Sequence, residues 1–354
     1  MEHRIEVALA DGEKKSFPCG DNERLLYAAL RAGIELPFGC ATGTCGSCRT
    51  TLAYGNVKTL WAQAPGLRAV KKDSDVLTCQ CAPASDCRLD VRTLGEADVR
   101  PVMQAFVGKV SKVERHADGL AWVEITLDRP LTFLAGQFVL LGLEGIAGHR
   151  AYSPATHGQP SQTLSLVVRD ATQGVMSPRL CATDAVGQGV DVLAPLGVAH
   201  VREGTDGDIA MVVGGSGCAV ALSVLDWAAG TSHLQQHRMD IVCGLRSAVN
   251  SAVLRRLSAM ACRWPDRLAI TVALSDIATD DPGGALAQAA LAWPGLRFEA
   301  GMAHEVAARC HDIPSWKAQA VFVAGPEVMV QATLRMLMKT GRINPANVRF
   351  DSFS

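Results

Sequence analysis

Hydrophobic and polar positions fall into three textures along this chain. From Arg4 to Cys19 apolar residues alternate with polar ones (RIEVALADGEKKSFPC) about Asp11-Gly12, a dipeptide suited to a tight hairpin turn. Two antiparallel strands are predicted there. In ERLLYAALRAG the apolar period becomes helical, with Asp21 or Asn22 placed to cap an amphipathic helix and Gly33 to end it. DVLTCQC and CRLDVRTL read as further strands.

From Ala105 to about His200 the apolar runs are short and strand-like: AFVGKVSKVE, LAWVEITL, GQFVLLGL, TLSLVVRD and GVDVLAPLG. Gly, Pro, Asp and Ser fill the gaps between them, which predicts a small antiparallel barrel. Beyond Asp206 apolar strands alternate with helices, in the order DIAMVVGG, MDIVCGL, LAITVAL and AVFVAG, the last followed by the helical EVMVQATLRMLMKTG. That alternation predicts a doubly wound parallel sheet. GEADVRP (Gly95–Pro101) is charged, poor in apolar residues and ends in proline, so it reads as a linker. The expected fold class is multidomain, α+β and α/β, with domains at residues 1–94, 102–202 and 206–354 of the 354-residue chain.

Composition narrows the function. A hydrophobic share of 48% and a charged share of 19% suit a soluble globular protein. The formal charge of −1 leaves no basic excess for nucleic acid. The most apolar run, Ile209–Leu225, is broken by Gly-Gly-Ser-Gly and followed by Asp226, so it reads as a buried strand, turn and helix and not as a membrane span. The first residues carry no apolar signal-peptide core, which predicts a cytoplasmic protein. In such a reducing compartment twelve cysteines point to thiolate chemistry over disulfides.

Four of the cysteines carry a pattern. Cys40, Cys45 and Cys48 give C-x4-C-x2-C, the plant-type spacing for a [2Fe–2S] cluster, with a fourth thiolate downstream. Gly39, Gly43 and Gly46 permit positive φ and close approach of backbone N–H groups to sulfur. A zinc knuckle is the alternative, but it prefers paired C-x2-C units and only one is present. Cys79 and Cys81 share a face if their segment is a strand, so spacing leaves both open as the fourth ligand. Cys19, Cys87, Cys181, Cys218, Cys243, Cys262 and Cys310 read as small buried residues.

CATGTCGSC, TLWAQAPGL and VLTCQCAPASD together resemble the ferredoxin domain of the reductase components of bacterial multicomponent oxygenases, the toluene and alkene monooxygenase reductases above all. The resemblance implies a β-grasp ferredoxin domain and selects Cys79 as the fourth ligand. It continues into the barrel, where Arg150-Ala151-Tyr152-Ser153 resembles the R-x-Y-S flavin motif, preceded by AGQFV and followed by Val167-Val168-Arg169 and Gly174-Val175-Met176-Ser177. These residues suit FAD. A guanidinium pairs with the pyrophosphate, a phenol reaches the ribityl chain, Ser153 reaches the flavin N5 edge, and amides at Val175–Ser177 meet the pyrophosphate.

VVGGSGCAVALSVL places Gly214, Gly215, Ser216 and Gly217 between a strand and a helix, a site for a dinucleotide. The family form continues Ile-Ala-Pro, where this chain has Cys218, Ala219 and Val220. VFVAGPEVM resembles the family's C-G-P-P-x-M element and keeps Gly325, Pro326 and Met329, while Ala324 replaces its cysteine and Glu327 its second proline. Phe353 stands where the resemblance puts an aromatic over the flavin. CGLRSAVN has no acid for a ribose hydroxyl, and its Arg246 suits a 2′-phosphate, yet the family mostly uses NADH.

The resemblance spans essentially the whole chain. It implies an NADH-dependent electron-transfer reductase that reduces FAD by hydride, passes single electrons to a [2Fe–2S] cluster and delivers them to a hydroxylase component or a small Rieske-type ferredoxin. The expected protein is a monomer when free. A reductase for a Rieske aromatic dioxygenase is the alternative, and a degenerate non-catalytic subunit is a third reading, prompted by Ala324 and the missing proline.

Overall fold

Residues 1–92, 94, 101–171, 174–249, 251–278, 280–281, 283–310, 320–340 and 343–353 are described in a computed structural model. The predicted linker, apart from Pro101, lies outside the described residues. The chain builds three main sheets in succession.

The first holds β1 (Glu2–Leu9), β2 (Lys14–Gly20), β3 (Arg49–Tyr54), β5 (Asp75–Leu77) and β7 (Cys87–Val91), with helix α1 (Leu25–Arg31) between β2 and β3. β4 (Val57–Thr59) and β6 (Cys81–Pro83) form a separate small ribbon. The sheet order is β2-β1-β7-β3-β5. β1 and β2 are the predicted hairpin, with Ile5 opposite Phe17, while β7 lies parallel to β1.

Three local expectations are corrected. Neither Asp21 nor Asn22 caps α1. Arg24 occupies the N-cap without a side-chain bond, and Asp21 pairs with the N-terminal amine at 3.3 Å. Nor is α1 amphipathic, because Leu25 through Leu30 are all buried. The same core contains Leu25, Leu26, Phe138, Leu140 and Leu196, so the helix is covered by its own sheet and by the barrel. In addition, Thr78–Gln80 form a single 3-10 turn and β6 begins only at Cys81. Cys79 and Cys81 therefore do not share a strand face.

The second sheet runs β11-β10-β13-β8-β9-β12 and is antiparallel at every pairing. Its strands are β8 (Gln104–Arg115), β9 (Leu120–Leu131), β10 (Phe138–Gly142), β11 (Arg150–Tyr152), β12 (Ser161–Arg169) and β13 (Gly189–Leu196), with the short helix α2 (Ser177–Cys181) after β12. The two edges meet where Ala155 N–H donates to Ser165 O at 2.7 Å beside a Pro154–Leu166 bridge. The sheet thus closes into the predicted barrel around Val110, Ile125, Leu141, Leu166 and Val192.

The third sheet is wholly parallel, in the order β17-β16-β15-β14-β18-β19. It contains β14 (Ile209–Gly214), β15 (Met239–Leu245), β16 (Leu268–Leu274), β17 (Leu296–Ala300), β18 (Ala320–Pro326) and β19 (Val348–Phe353). Helices α3 (Cys218–Gly230), α4 (His233–Gln236), α5 (Ala252–Arg263), α6 (Ala285–Ala292), α7 (Ala303–Arg309) and α8 (Glu327–Thr340) connect the strands. α3 and α5 contribute to one core, α7 and α8 to another, so the sheet is covered on both faces. Strand order reverses between β14 and β18, and a ligand belongs at the carboxyl ends of strands at such a switch point. The glycine turn and Gly325 both lie there. Among the described residues no helix is long and apolar enough to cross a membrane.

Candidate functional site

The cysteine loop is shaped by its backbone. Gly43 and Gly46 have φ of +92° and +80°, as the turn requires. Gly39 does not; the third left-handed residue is Ala41, at φ +57°. Gly39 instead serves close approach, since a Cβ there would stand 3.3 Å from Cys45 Sγ. Tyr27 on α1 holds the strained segment, its hydroxyl donating to Ala41 O at 3.0 Å.

Amides converge on the sulfurs. Thr42 N–H and Cys45 N–H donate to Cys40 Sγ, and Cys40 N–H and Ser47 N–H to Cys45 Sγ, all at 3.4 Å. Such donors stabilise thiolate over thiol. The hydrogen bond shared with Cys45 is the largest cause pulling the Cys40 thiol down to about 4, and it pushes Cys45 up. Cys48 and Cys79 lie 3.1 Å apart, sulfur to sulfur, both buried, and a shared proton lowers the first and raises the second. Among the described residues no three of His, Cys, Asp or Glu gather on one ion. Two thiol pairs suit two bridged irons better than one tetrahedral zinc. Cys81 sits apart, opposite Thr59 in the β4–β6 ribbon, with its thiol raised to about 11 chiefly by burial. Cys262, expected to be buried, is exposed.

A cavity of about 460 Å³ adjoins this loop. Arg150, Ala151, Tyr152, Ser153, Val167, Arg169, Gly174, Val175, Met176 and Ser177 line it from the barrel, and Ser216, Pro326 and Phe353 from the nucleotide sheet. Cys40, Thr42, Thr44 and Trp61 close it from the first module. The buried Ser153 Oγ has no hydrogen-bond partner, an orphan polar atom that a ligand edge would satisfy. Burial raises the Tyr152 phenol, so it stays neutral and able to donate. Phe353 meets Phe138 edge to face at 6.4 Å between ring centroids. This donor set fits a flavin. Val168 is absent from the lining and points its bulk into the barrel core.

Gly214, Gly215, Gly217, Gly325, Met329 and Arg246 do not reach the cavity lining. They form the adjoining turn. Gly214 lies against Met329, and a Cβ on Gly217 would stand 2.5 Å from Ala324 O. Gly215, at φ +57°, faces the Arg169 guanidinium, whose pKa is lowered mainly by burial and then by the Arg246 charge. Two cations beside a glycine turn fit an anionic dinucleotide. Ala324 is fully buried in one core with Cys218, whose sulfur lies 2.7 Å from Cys243. Glu327 accepts from Arg68 of the first module at 2.7 Å, so the departure from proline gives an ion pair between modules.

Sequence reasoning did not find Thr42, Thr44 and Trp61 as walls of the flavin cavity, nor Tyr27 as the clamp on the loop. A further miss is Asp351, 4% exposed, whose Oδ2 has no hydrogen-bond partner. Burial, then the Cys40 charge, pushes its carboxyl well above the usual range. An acid with a raised folded-state pKa costs stability once pH exceeds its unfolded value, and the cost grows until the folded value is reached. Asp351→Asn is therefore expected to raise the melting temperature near pH 8. The gain in melting temperature should shrink toward pH 5; a larger gain at pH 5 would refute a buried neutral carboxyl.

A nest of thiolates and a flavin-sized cavity that share a wall define the class: an iron–sulfur flavoprotein that moves electrons between two centres. Comparison with known proteins agrees. The family of 2Fe-2S iron–sulfur cluster binding domains matches residues 9–84, and the oxidoreductase FAD-binding domain matches residues 108–201. The chain is 33% identical over 349 residues to the ferredoxin–NAD(+) reductase component of the alkene monooxygenase system of Xanthobacter autotrophicus, covering 98% of this chain and 100% of that one. It is 30% identical to the reductase component of phenol 2-monooxygenase from a Pseudomonas species, over 94% of this chain and 90% of the relative. The solved ferredoxin reductase in carbazole 1,9a-dioxygenase matches 100% of this chain and 99% of its own with a TM-score of 0.77 at 27% identity.

The chain belongs to the family of reductase components of oxygenase systems. It is an electron-transfer oxidoreductase for NAD(H), FAD and a [2Fe–2S] cluster.

Proposed function

We propose that this reductase takes electrons from NADH and delivers them to the hydroxylase or the small ferredoxin of a multicomponent monooxygenase, acting as a cytoplasmic monomer. The observation that carries this reading is the shared wall: Cys40, Thr42 and Thr44 border the same cavity as Arg150–Ser153 and Phe353. FAD and the cluster together supply the conversion of a two-electron donor into a one-electron donor.

The chain's own residues do the rest. Cys40, Cys45, Cys48 and Cys79 hold the cluster, with the loop amides fixing thiolate charge. Arg150 pairs with the flavin's diphosphate, Tyr152 and Ser153 hydrogen-bond the flavin, and Val175–Ser177 border it. Phe353, Ser216 and Pro326 line the same cavity, where Phe353 would pack against the flavin and Ser216, with the adjoining Gly217 turn and Pro326, would border the nicotinamide. Cys40, Cys48 and Cys79 are buried, which shields most of the sulfur set from water.

Purified protein should carry about two irons and one FAD per chain. Stoichiometric zinc without iron would overturn the cluster assignment. The likeness to the reductase in carbazole 1,9a-dioxygenase supports a second reading, service to a dioxygenase. NADH-driven turnover reconstituted with a diiron hydroxylase component, and not with a Rieske oxygenase, separates the two.

A further inference from the structure

A second cavity, of about 410 Å³, opens between the first module and the barrel. Thr42, Trp61, Arg150 and Val175 line both it and the flavin cavity, so the two adjoin. Its other walls include Arg24, Tyr27, Ile146, Gly148 and His149, and no carboxylate lines it. Arg24 comes from the cluster-bearing module, at the N-cap of α1; Arg150 comes from the barrel.

The two guanidiniums converge. A Cβ at Gly148 would stand 3.2 Å from Arg24 Nη2 and 3.7 Å from Arg150 Nη1. His149 joins them, its Nδ1 3.5 Å from Arg24 Nη1 and its carbonyl accepting from Arg150 Nη1 at 3.0 Å. Burial and these two charges hold the imidazole down to about 4, so it is neutral. The Arg24 guanidinium lies over the Tyr27 ring at 5.2 Å, and its buried Nε has no hydrogen-bond partner. Neither arginine has a carboxylate partner among the described residues. Two cations facing one point without a counter-charge are unfavourable until an anion with matching acceptors fills the space.

We infer that Arg24 is a second clamp on the FAD diphosphate, contributed by the iron–sulfur module and opposed to Arg150, with the adenosine lying in this second cavity. The inference rests on the reading that Arg150 holds the flavin diphosphate. The diphosphate carries adjacent negative centres, and two planar donor forks from opposite sides match it. One consequence is mechanical: bound FAD ties the module that carries the cluster to the barrel that carries the flavin. That tie would add to the apolar contacts of α1 with Phe138, Leu140 and Leu196.

The test is FAD affinity in the full chain, measured by flavin fluorescence on dilution of the holoprotein. Riboflavin, which lacks the diphosphate, is added to deflavinated protein in parallel. Arg24→Gln should raise the FAD dissociation constant by about tenfold or more and leave riboflavin within about twofold. Arg24→Lys should recover part of the loss, and retained visible absorbance of the cluster certifies folding in both. If Arg24→Gln disturbs the cluster, Arg24→Lys alone decides, with weaker FAD and unchanged riboflavin required. Equal losses for FAD and riboflavin would make Arg24 a merely structural contact and overturn the proposal, as would unchanged FAD affinity. ADP binding to FAD-saturated protein, lost in Arg24→Gln, would assign the cavity to a separate nucleotide and overturn it too. Arg150→Gln keeps the two readings apart: loss of FAD there but not in Arg24→Gln sinks only the second clamp, whereas FAD retained in both sinks the flavin reading itself.

Discussion

Cys79→Ser is expected to abolish or severely weaken the cluster while NADH still reduces the flavin. The Cys79 sulfur is fully buried 3.1 Å from Cys48, inside the core that carries α1. A serine hydroxyl has a far higher pKa than a thiol and is a poor ligand for iron. Iron content and cluster absorbance should fall, and FAD content should hold, because Arg150, Tyr152 and Ser153 belong to the barrel. Ferricyanide, able to take electrons from the flavin directly, should be reduced at nearly the parent rate. Delivery to the oxygenase partner should drop by about a hundredfold or more, the loss of a ligand being more severe than that of its outer support. Cys81→Ser is the control, and should do neither. Cluster loss in Cys81→Ser with retention in Cys79→Ser would reverse the ligand assignment. Oxygenase turnover surviving in both variants would break the order from nucleotide through flavin to cluster.

That pair also shows where local pattern stops informing. The hairpin, the barrel and the alternating parallel sheet were legible because each buries its apolar residues with its own period, two along strands and 3.6 along helices. The spacing of Cys40, Cys45 and Cys48 was legible because three sulfurs must meet within nine residues. Cys79 against Cys81 was not. Their two-residue separation implies a common face only on a strand, and Thr78–Gln80 turn as a 3-10 helix instead. The cap of α1 failed for a related reason. Arg24 takes the position that Asp21 or Asn22 seemed made for, and the helix is held by burial on every side.

Residues that act across modules were the least visible. Trp61 lies on a loop of the first module yet walls two cavities that the barrel completes. Tyr27 reads as one more apolar position of a helix until its hydroxyl is seen on Ala41 O. Arg68 is an ordinary surface cation until Glu327 lies 2.7 Å away. Each role is created by docking of distant segments, which leaves no period or spacing along the chain. Two departures from the family form likewise acquire partners only in three dimensions: Glu327 gains an ion pair and Cys218 a buried sulfur partner.

Gly217→Ala is expected to suppress flavin reduction by NADH by about a hundredfold with FAD and iron content unchanged, since small displacements of a binding turn are costly to reaction geometry. Gly217 has φ −63°, so alanine meets no backbone strain there. The obstacle is space: the new methyl would stand 2.5 Å from Ala324 O, 2.6 Å from Ala324 C and 2.8 Å from Gly325 Cα. All three are backbone atoms of β18, which is locked to β14 through the Val213–Ala324 pairing and cannot swing aside as a side chain does. Relief requires the glycine turn and the Gly325-Pro326 end of β18 to part by about 1 Å, the span that van der Waals contact demands. Under the proposed function the nicotinamide enters between those two segments. Gly215→Ala gives the contrast. It incurs left-handed strain at φ +57°, but the atoms nearest its methyl belong to the Arg169 guanidinium, at 3.1 Å, on a flexible side chain. Its loss should be smaller, about tenfold or less. Dithionite should still reduce flavin and cluster in both variants, since that route bypasses the nucleotide. A Gly215→Ala defect larger than that of Gly217→Ala would show that backbone strain, and not the approach of β18, governs the turn.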